Sequence, residues 1–128
     1  MGSALKVVFD TNILIDYLSG INAAKSEIER YGNPAISLVT WIEVLVGAAN
    51  DEEERTLRGF LTRFELAPIT LAIADRAARL RRDHKIRLPD AIIWATAQER
   101  ECLLVTRDTR DFSPEYAGIR VPYTLSSS

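Results

Sequence analysis

Val7-Val8-Phe9-Asp10-Thr11-Asn12-Ile13-Leu14-Ile15 is the stretch on which the fold turns. Residues 5–9 form a short, β-branched, largely apolar run, the signature of a strand buried on both faces. Asp10, Thr11 and Asn12 then offer three consecutive side chains able to cap a helix, which continues over 13–18 and ends at Ser19-Gly20. A buried strand that feeds straight into a helix is the opening of an α/β fold.

The same alternation continues downstream. A helix is predicted over 22–31, stopped by Gly32-Asn33-Pro34, and a strand over 35–38. Ser37 or Thr40 can cap an apolar helix over 41–48. Residues 51–64 read as a charged amphipathic helix with Leu57, Phe60, Leu61 and Phe64 on one face. Residues 65–69 are a marginal strand interrupted by Pro68. Thr70 caps a long helix reaching about His84, with Ile73, Ala77 and Leu80 at helical spacing. Pro89 suits the first turn of a helix over 90–100, because proline there loses no needed donor. Strands are predicted at 103–106 and 119–121, separated by a turn at Asp111-Phe112-Ser113-Pro114. Strands alternating with helices imply a parallel sheet covered by helices on both faces.

Length and composition set the class. The 128 residues suit one domain with an ordered core over about 5–122 and short polar tails. Gly2-Ser3 reads as an appended remnant and the final Ser126-Ser127-Ser128 as a frayed tail. With 47% hydrophobic and 27% charged residues the chain is an ordinary globular one, not a disordered one. No apolar stretch approaches the roughly 20 residues of a membrane span. The N-terminus is too short and polar before Val7 for a signal peptide. A single cysteine, Cys102, excludes a disulfide framework and suits a reducing compartment, so the protein is expected in the cytoplasm.

A net charge of −2 does not suggest a passive polyanion binder. Charge is nevertheless uneven. Asp51, Glu52, Glu53 and Glu54 stand together, as suits a helix N-terminus, while Arg76, Arg79, Arg81, Arg82, Lys85 and Arg87 crowd one stretch. Both patterns are ordinary on a solvated helix, and the second is also compatible with a phosphate-bearing partner.

Chemistry enters with acids at segment ends. Asp10 ends the first strand, Glu43 sits early in the helix after the second, Asp90 opens an apolar helix, and Asp108 and Asp111 follow a late strand. Open α/β sheets place their sites at the carboxyl ends of strands. Converging carboxylates repel unless they are protonated or bridged by a cation, so the pattern points to a divalent-metal site. Each acid has a plain alternative: Asp10 and Asp90 as helix caps, Asp108 and Asp111 as turn residues. Glu43 interrupts an apolar neighbourhood where an unpaired buried carboxylate is costly, unless it simply faces outward.

Missing residues remove the competing chemistries. His84 is the only histidine, which leaves histidine-rich zinc sites and a histidine-dependent triad without support. Cys102 starts a predicted buried strand and reads as core. Neither G-x-x-x-x-G-K-S/T nor G-x-G-x-x-G occurs, so no nucleotide-cradling loop is present. Oxygen ligands alone remain, and these select hard ions such as Mg²⁺ or Mn²⁺.

V-F-D-T-N over 8–12, the glutamate of T-W-I-E-V-L, R-L-P-D-A-I-I-W-A-T-A over 87–97 and V-T-R-D-T-R-D-F over 105–112 together resemble the PIN domain. Their order and spacing are most similar to the VapC-type toxins of toxin–antitoxin pairs. The resemblance implies an α/β/α sandwich with a central, mainly parallel sheet. It also implies a Mg²⁺- or Mn²⁺-dependent endoribonuclease that hydrolyses RNA phosphodiester bonds with metal-activated water, forms a homodimer and is held inactive by a cognate antitoxin. By that resemblance Asp10, Glu43, Asp90 and Asp108 are the acidic site residues and metal ligands. Thr11, Thr40 and Thr106, with Asn12, are their supports. Many relatives carry asparagine where Asp108 stands and an acid three residues on, here Asp111, so either can complete the site. Arg82, Arg107 and Arg110 are candidates to hold flanking phosphates.

Two other function classes fit an acidic α/β protein. A receiver-like signalling domain also binds Mg²⁺, but it needs an acidic pair after the first strand and a late lysine, and here Asp10 is followed by Thr11-Asn12. A catalytically idle PIN-fold module would bind partner arginines through the same acids.

Overall fold

In a computed structural model, residues 5–125 are described; the expected appended Gly2-Ser3 and the serine tail lie outside the described residues. The elements run β1 (Val7–Phe9), α1 (Thr11–Leu18), α2 (Asn22–Glu29), β2 (Ala35–Ser37), α3 (Leu38–Val46), α4 (Asp51–Leu61), β3 (Glu65–Ala67), α5 (Leu71–His84), α6 (Leu88–Glu99), β4 (Leu103–Val105) and β5 (Ile119–Arg120). The five strands form one sheet in the order β3-β2-β1-β4-β5, with every pair parallel.

Strand alternation builds the layers. Val8 and Leu104 point into a core shared with Ile73, Ala77, Ala91 and Trp94 of α5 and α6. Val7, Phe9, Ile36 and Val105 point the other way, onto Ile13, Leu14, Ala24, Ile28, Val44 and Leu61 of α1 to α4. Successive strand residues face opposite sides of a sheet, so two cores on one sheet make the expected α/β/α sandwich. Among the described residues no helix is long and apolar enough to cross a membrane.

Local chemistry explains the helix boundaries. Asp10, Asn50 and Thr70 each accept a backbone N–H at a helix start. Ser37, not Thr40, caps α3, its Oγ accepting from Val39 N at 3.1 Å, so that helix starts three residues before the expected Trp41. Thr40 is then free for another partner. Proline does sit in the first turn of α6, and seven of that helix's residues are buried, which makes it the central helix its composition suggested. The α5–α6 corner depends on Lys85 at φ 57, a left-handed conformation that closes the bond from its N–H to the Arg81 carbonyl at 2.8 Å.

The order of the strands positions the site. From β1 the chain moves outward to β2 and β3, then returns to the other side of β1 for β4 and β5. The switch point is therefore between β1 and β4, whose carboxyl ends lead into Asp10 and Thr106.

Candidate metal centre

Asp10 continues the β1–β4 ladder, its N–H donating to the Val105 carbonyl at 2.9 Å, and then caps α1. One carboxylate oxygen, Oδ1, accepts from Thr11 N at 2.8 Å. The other, Oδ2, accepts from Thr106 Oγ1 at 2.8 Å and Asn12 Nδ2 at 3.3 Å. Asp10 is thus a helix cap whose second carboxylate oxygen is held by Thr106 and Asn12. The residue is only 4% exposed. Burial pushes its carboxyl up to about 6 against the Thr106 and Thr11 hydrogen bonds, with the charges of Asp108 and Glu43 adding to the rise.

The hydroxyls of Thr11, Thr40 and Thr106 are all committed. Thr11 Oγ1 lies 2.6 Å from Glu43 Oε1, an acceptor, so the Thr11 proton goes there and Thr40 donates to Thr11 across 2.9 Å. Thr40 is fully buried, so the Glu43 carboxylate hangs from a chain rooted in the core. Glu43 itself is exposed. The burial cost expected from its apolar neighbours does not arise, because α3 buries only Thr40 and Val44 while Ile42 and Val46 face outward.

Asp90 is 5% exposed in the first turn of α6. Burial, a hydrogen bond shared with Asp111 and the nearby Asp10 charge push its carboxyl up to about 7, offset in part by Arg87. Carboxylate oxygens of Asp90, Asp108 and Asp111 can all lie within 4.8 Å of one another, close enough to hold one metal ion. Asp108 and Asp111, alternatives in the sequence, therefore occupy the same cluster. They differ in engagement: Asp108 Oδ1 accepts from the backbone of Arg110 at 2.9 Å and Asp111 at 3.3 Å, closing the loop that carries both. That loop is anchored where Asp108 N donates to Thr106 Oγ1 at 2.9 Å and Arg107 N to Asn12 Oδ1 at 3.3 Å.

Asp108 and Asp111 line a cleft of about 520 Å³ together with Asn12, Lys85, Arg87, Arg107, Thr109 and Arg110, whereas Asp10, Glu43 and Asp90 are not among its lining residues. Of the arginines expected to hold phosphate, Arg110 lines it with an exposed side chain. Arg107 lines it too, but its guanidinium is bound by both oxygens of Asp16, which is also reached by Tyr123 Oη at 2.8 Å. Arg82 is not a lining residue and pairs with Asp83 at 3.5 Å. Lys85 and Arg87, the end of the basic stretch compatible with a phosphate-bearing partner, line the cleft as well, and Arg87 stands three residues before Asp90, the spacing of helix neighbours. A larger hollow of about 990 Å³ lies at the opposite, amino end of the strands. Its one acid, Glu65, is bound by Arg100 at 2.6 Å.

The donor set fits a hard divalent cation. It is all oxygen, and the one histidine, His84, packs against Trp94 and Tyr116 instead. Two of its carboxyls, Asp10 and Asp90, are held far above the ordinary range by burial first and by neighbouring acidic side chains, a disfavoured ionisation that a cation reverses.

The chain matches the PIN domain profile over residues 7–114. Ribonuclease VapC1 of Methanocaldococcus jannaschii is 32% identical over 103 residues, covering 80% of this chain, which spans 62% of that relative's length. The tRNA(fMet)-specific endonuclease VapC of Shigella flexneri is 32% identical over 129 residues, covering 91% of this chain and 96% of the relative. Among solved structures, a toxin–antitoxin complex from Klebsiella pneumoniae superposes with a TM-score of 0.87 at 45% identity, covering 93% and 99% of the two chains. FitAcB from Neisseria gonorrhoeae shares the fold, with a TM-score of 0.78 at 22% identity over 93% and 99%.

Proposed function

The chain belongs to the PIN domain family, and we propose that it is a Mg²⁺- or Mn²⁺-dependent endoribonuclease, the toxin of a cytoplasmic toxin–antitoxin pair. The observation that carries this reading is the cluster of Asp90, Asp108 and Asp111, close enough to share one ion, with the charges of Asp10 and Glu43 nearby and a cleft lined by Lys85, Arg87 and Arg110 beside it. An acidic floor repels a phosphodiester unless a cation lies between them, and a basic rim suits the flanking phosphates. The two VapC relatives carry ribonuclease and endonuclease names, which supports RNA as substrate and makes transfer RNA the first class to test.

Asp10, Asp90 and Asp108 or Asp111 would hold the ion, which when bound neutralises substrate charge and acidifies the attacking water. The protein's own residues fix everything else. Thr106 and Asn12 hold Asp10, and the first turn of α6 fixes Asp90 beside Asp108 and Asp111. Glu43, aimed by Thr11 and open to solvent, is the member placed to take a proton from water. Thr40 and Thr106 keep those aims rigid from the core.

The antitoxin and a second copy of the chain are the proposed partners. Ile42 and Val46 on α3, 52% and 77% exposed, and Leu71 on α5, 77% exposed, are apolar surface that such partners would cover. The similarity to the Klebsiella complex supports the same assignment.

Asp10→Asn and Asp90→Asn are each expected to lower cleavage of a transfer RNA substrate by at least about a hundredfold, from the general scale of single catalytic groups, and EDTA to abolish it. Circular dichroism of both variants should match the parent. Undiminished cleavage in EDTA sinks the proposal; Mn²⁺ uptake without cleavage of any RNA favours an idle binding module instead.

A further inference from the structure

Among the described residues, Arg87 is the one cationic side chain paired with Asp90 and Asp111. Its Nε lies 3.1 Å and its terminal Nη2 3.0 Å from the same Oδ2 of Asp90, and its Nε lies 3.7 Å from Asp111 Oδ2. Nε donates the hydrogen bond and Nη2 stands at ion-pair distance, so both guanidinium contacts with Asp90 fall on this one carboxylate oxygen. A metal ion that used this oxygen would therefore compete with Arg87. The two partners are unequally held. Asp90 is fixed in the first turn of α6, its side chain 8% exposed, whereas the Arg87 side chain is 75% exposed. Arg87 is the cap residue of α6 and makes no capping bond, so nothing in the helix start requires its side chain to stay. Lys85 and Arg110 line the same cleft, where a released guanidinium would join them.

We propose that Arg87 is a built-in, displaceable counter-ion. It neutralises Asp90 and Asp111 in the ion-free protein, is driven off them by the divalent cation, and then contacts a backbone phosphate of the RNA. It is a positioning residue, and the inference rests on the metal-dependent nuclease reading above. The swap keeps the floor compensated in both states and couples RNA binding to metal loading. Two cations do not share one carboxylate oxygen without repulsion, and the exposed one yields.

The test uses the full chain freed of metal, titrated with Mn²⁺ by calorimetry. Arg87→Gln is expected to bind Mn²⁺ about fivefold more tightly than the parent, the scale of removing one exposed ion pair. Binding of a fluorescent single-stranded phosphorothioate oligoribonucleotide is then followed by anisotropy. Arg87→Gln should lose more RNA affinity with Mn²⁺ saturating than without it, and Arg87→Lys should regain part of that loss. Equal or weaker Mn²⁺ binding by Arg87→Gln overturns the competition. An RNA loss that is the same with and without Mn²⁺ overturns the swap. A parent chain that takes up no Mn²⁺ at millimolar concentration overturns the metal reading itself and the swap with it, so the two failures are distinguishable.

Discussion

Thr106 has one hydroxyl proton and gives it to Asp10, while its oxygen receives the N–H of Asp108 and the amide of Asn12. Fully buried, it is the point at which three candidate site residues are held at once. Thr106→Val keeps the shape but strands the Asp108 N–H and leaves Asp10 Oδ2 with the longer Asn12 bond alone. The expected cost is about 1–3 kcal/mol in urea unfolding, with a weaker affinity for Mn²⁺ by calorimetry, and Thr106→Ser should restore much of both. An unchanged urea midpoint and Mn²⁺ affinity would remove Thr106 from the supporting set. At this scale the sequence was informative about residue types and silent about partners. It offered Asp10 as cap or ligand, and the structure has it capping while buried against Thr106 and Asn12. It placed Glu43 among apolar neighbours, and only the rotation of α3 puts that carboxylate in solvent beside Thr11.

Elements were legible wherever a cap or a periodic face announced them. Thr70 starting α5, proline in the first turn of α6 and Ser37 as one of two caps offered for α3 are all local chemistry. What local chemistry could not supply is how elements are tied. Glu27 of α2 is 3% exposed and reaches Arg120 of β5 through two hydrogen bonds, at 2.7 and 3.0 Å, with Tyr31 Oη at 2.8 Å. Burial alone would raise the Glu27 carboxyl; the Arg120 guanidinium and the Tyr31 hydroxyl outweigh it and hold it below the usual range. Asp16 of α1 does the same for Arg107 after β4 and for Tyr123. Two helices are thus fastened to the two strands that carry the Asp108 loop, through pairs more than 90 residues apart. Removing Glu27 leaves Arg120 partly open to water and Tyr31 without its acceptor, so Glu27→Ala should cost about 1–3 kcal/mol, read by urea unfolding. A loss under about 1 kcal/mol would mean Arg120 finds water without penalty, as at an exposed pair. The same geometry explains why Arg107, which follows Thr106 and sits in the cleft wall, is engaged with Asp16 rather than facing substrate.

At the scale of the whole molecule, the acids meet only because the chain reverses at β1. Five carboxylates from four segments, spread between positions 10 and 111, have no local signature of convergence; the strand order β3-β2-β1-β4-β5 creates it. Such a cluster has a thermodynamic consequence. Folding lifts the Asp10 and Asp90 carboxyls from 3.8 to about 6 and about 7. The native state therefore holds more protons than the unfolded chain between those limits, and stability must fall as pH rises through that window. The metal-free protein is expected to melt several degrees higher at pH 5.5 than at pH 7.5, since a small domain gains about 4–8 °C per kcal/mol. Asp90→Asn removes one of the strained charges and should raise the melting temperature at pH 7.5 while flattening the pH slope. A cation acts from the other side: it binds the ionised carboxylates of the native state only, so Mn²⁺ at ten times its dissociation constant adds about 1.4 kcal/mol at pH 7.5. That gain should shrink at pH 5.5, where protons already occupy the site, and vanish in Asp90→Asn. Differential scanning fluorimetry of both proteins at both pH values, with Mn²⁺ and with EDTA, reads all of these shifts. A Mn²⁺ shift of equal size at the two pH values, or one that survives Asp90→Asn, would place the ion somewhere other than this cluster.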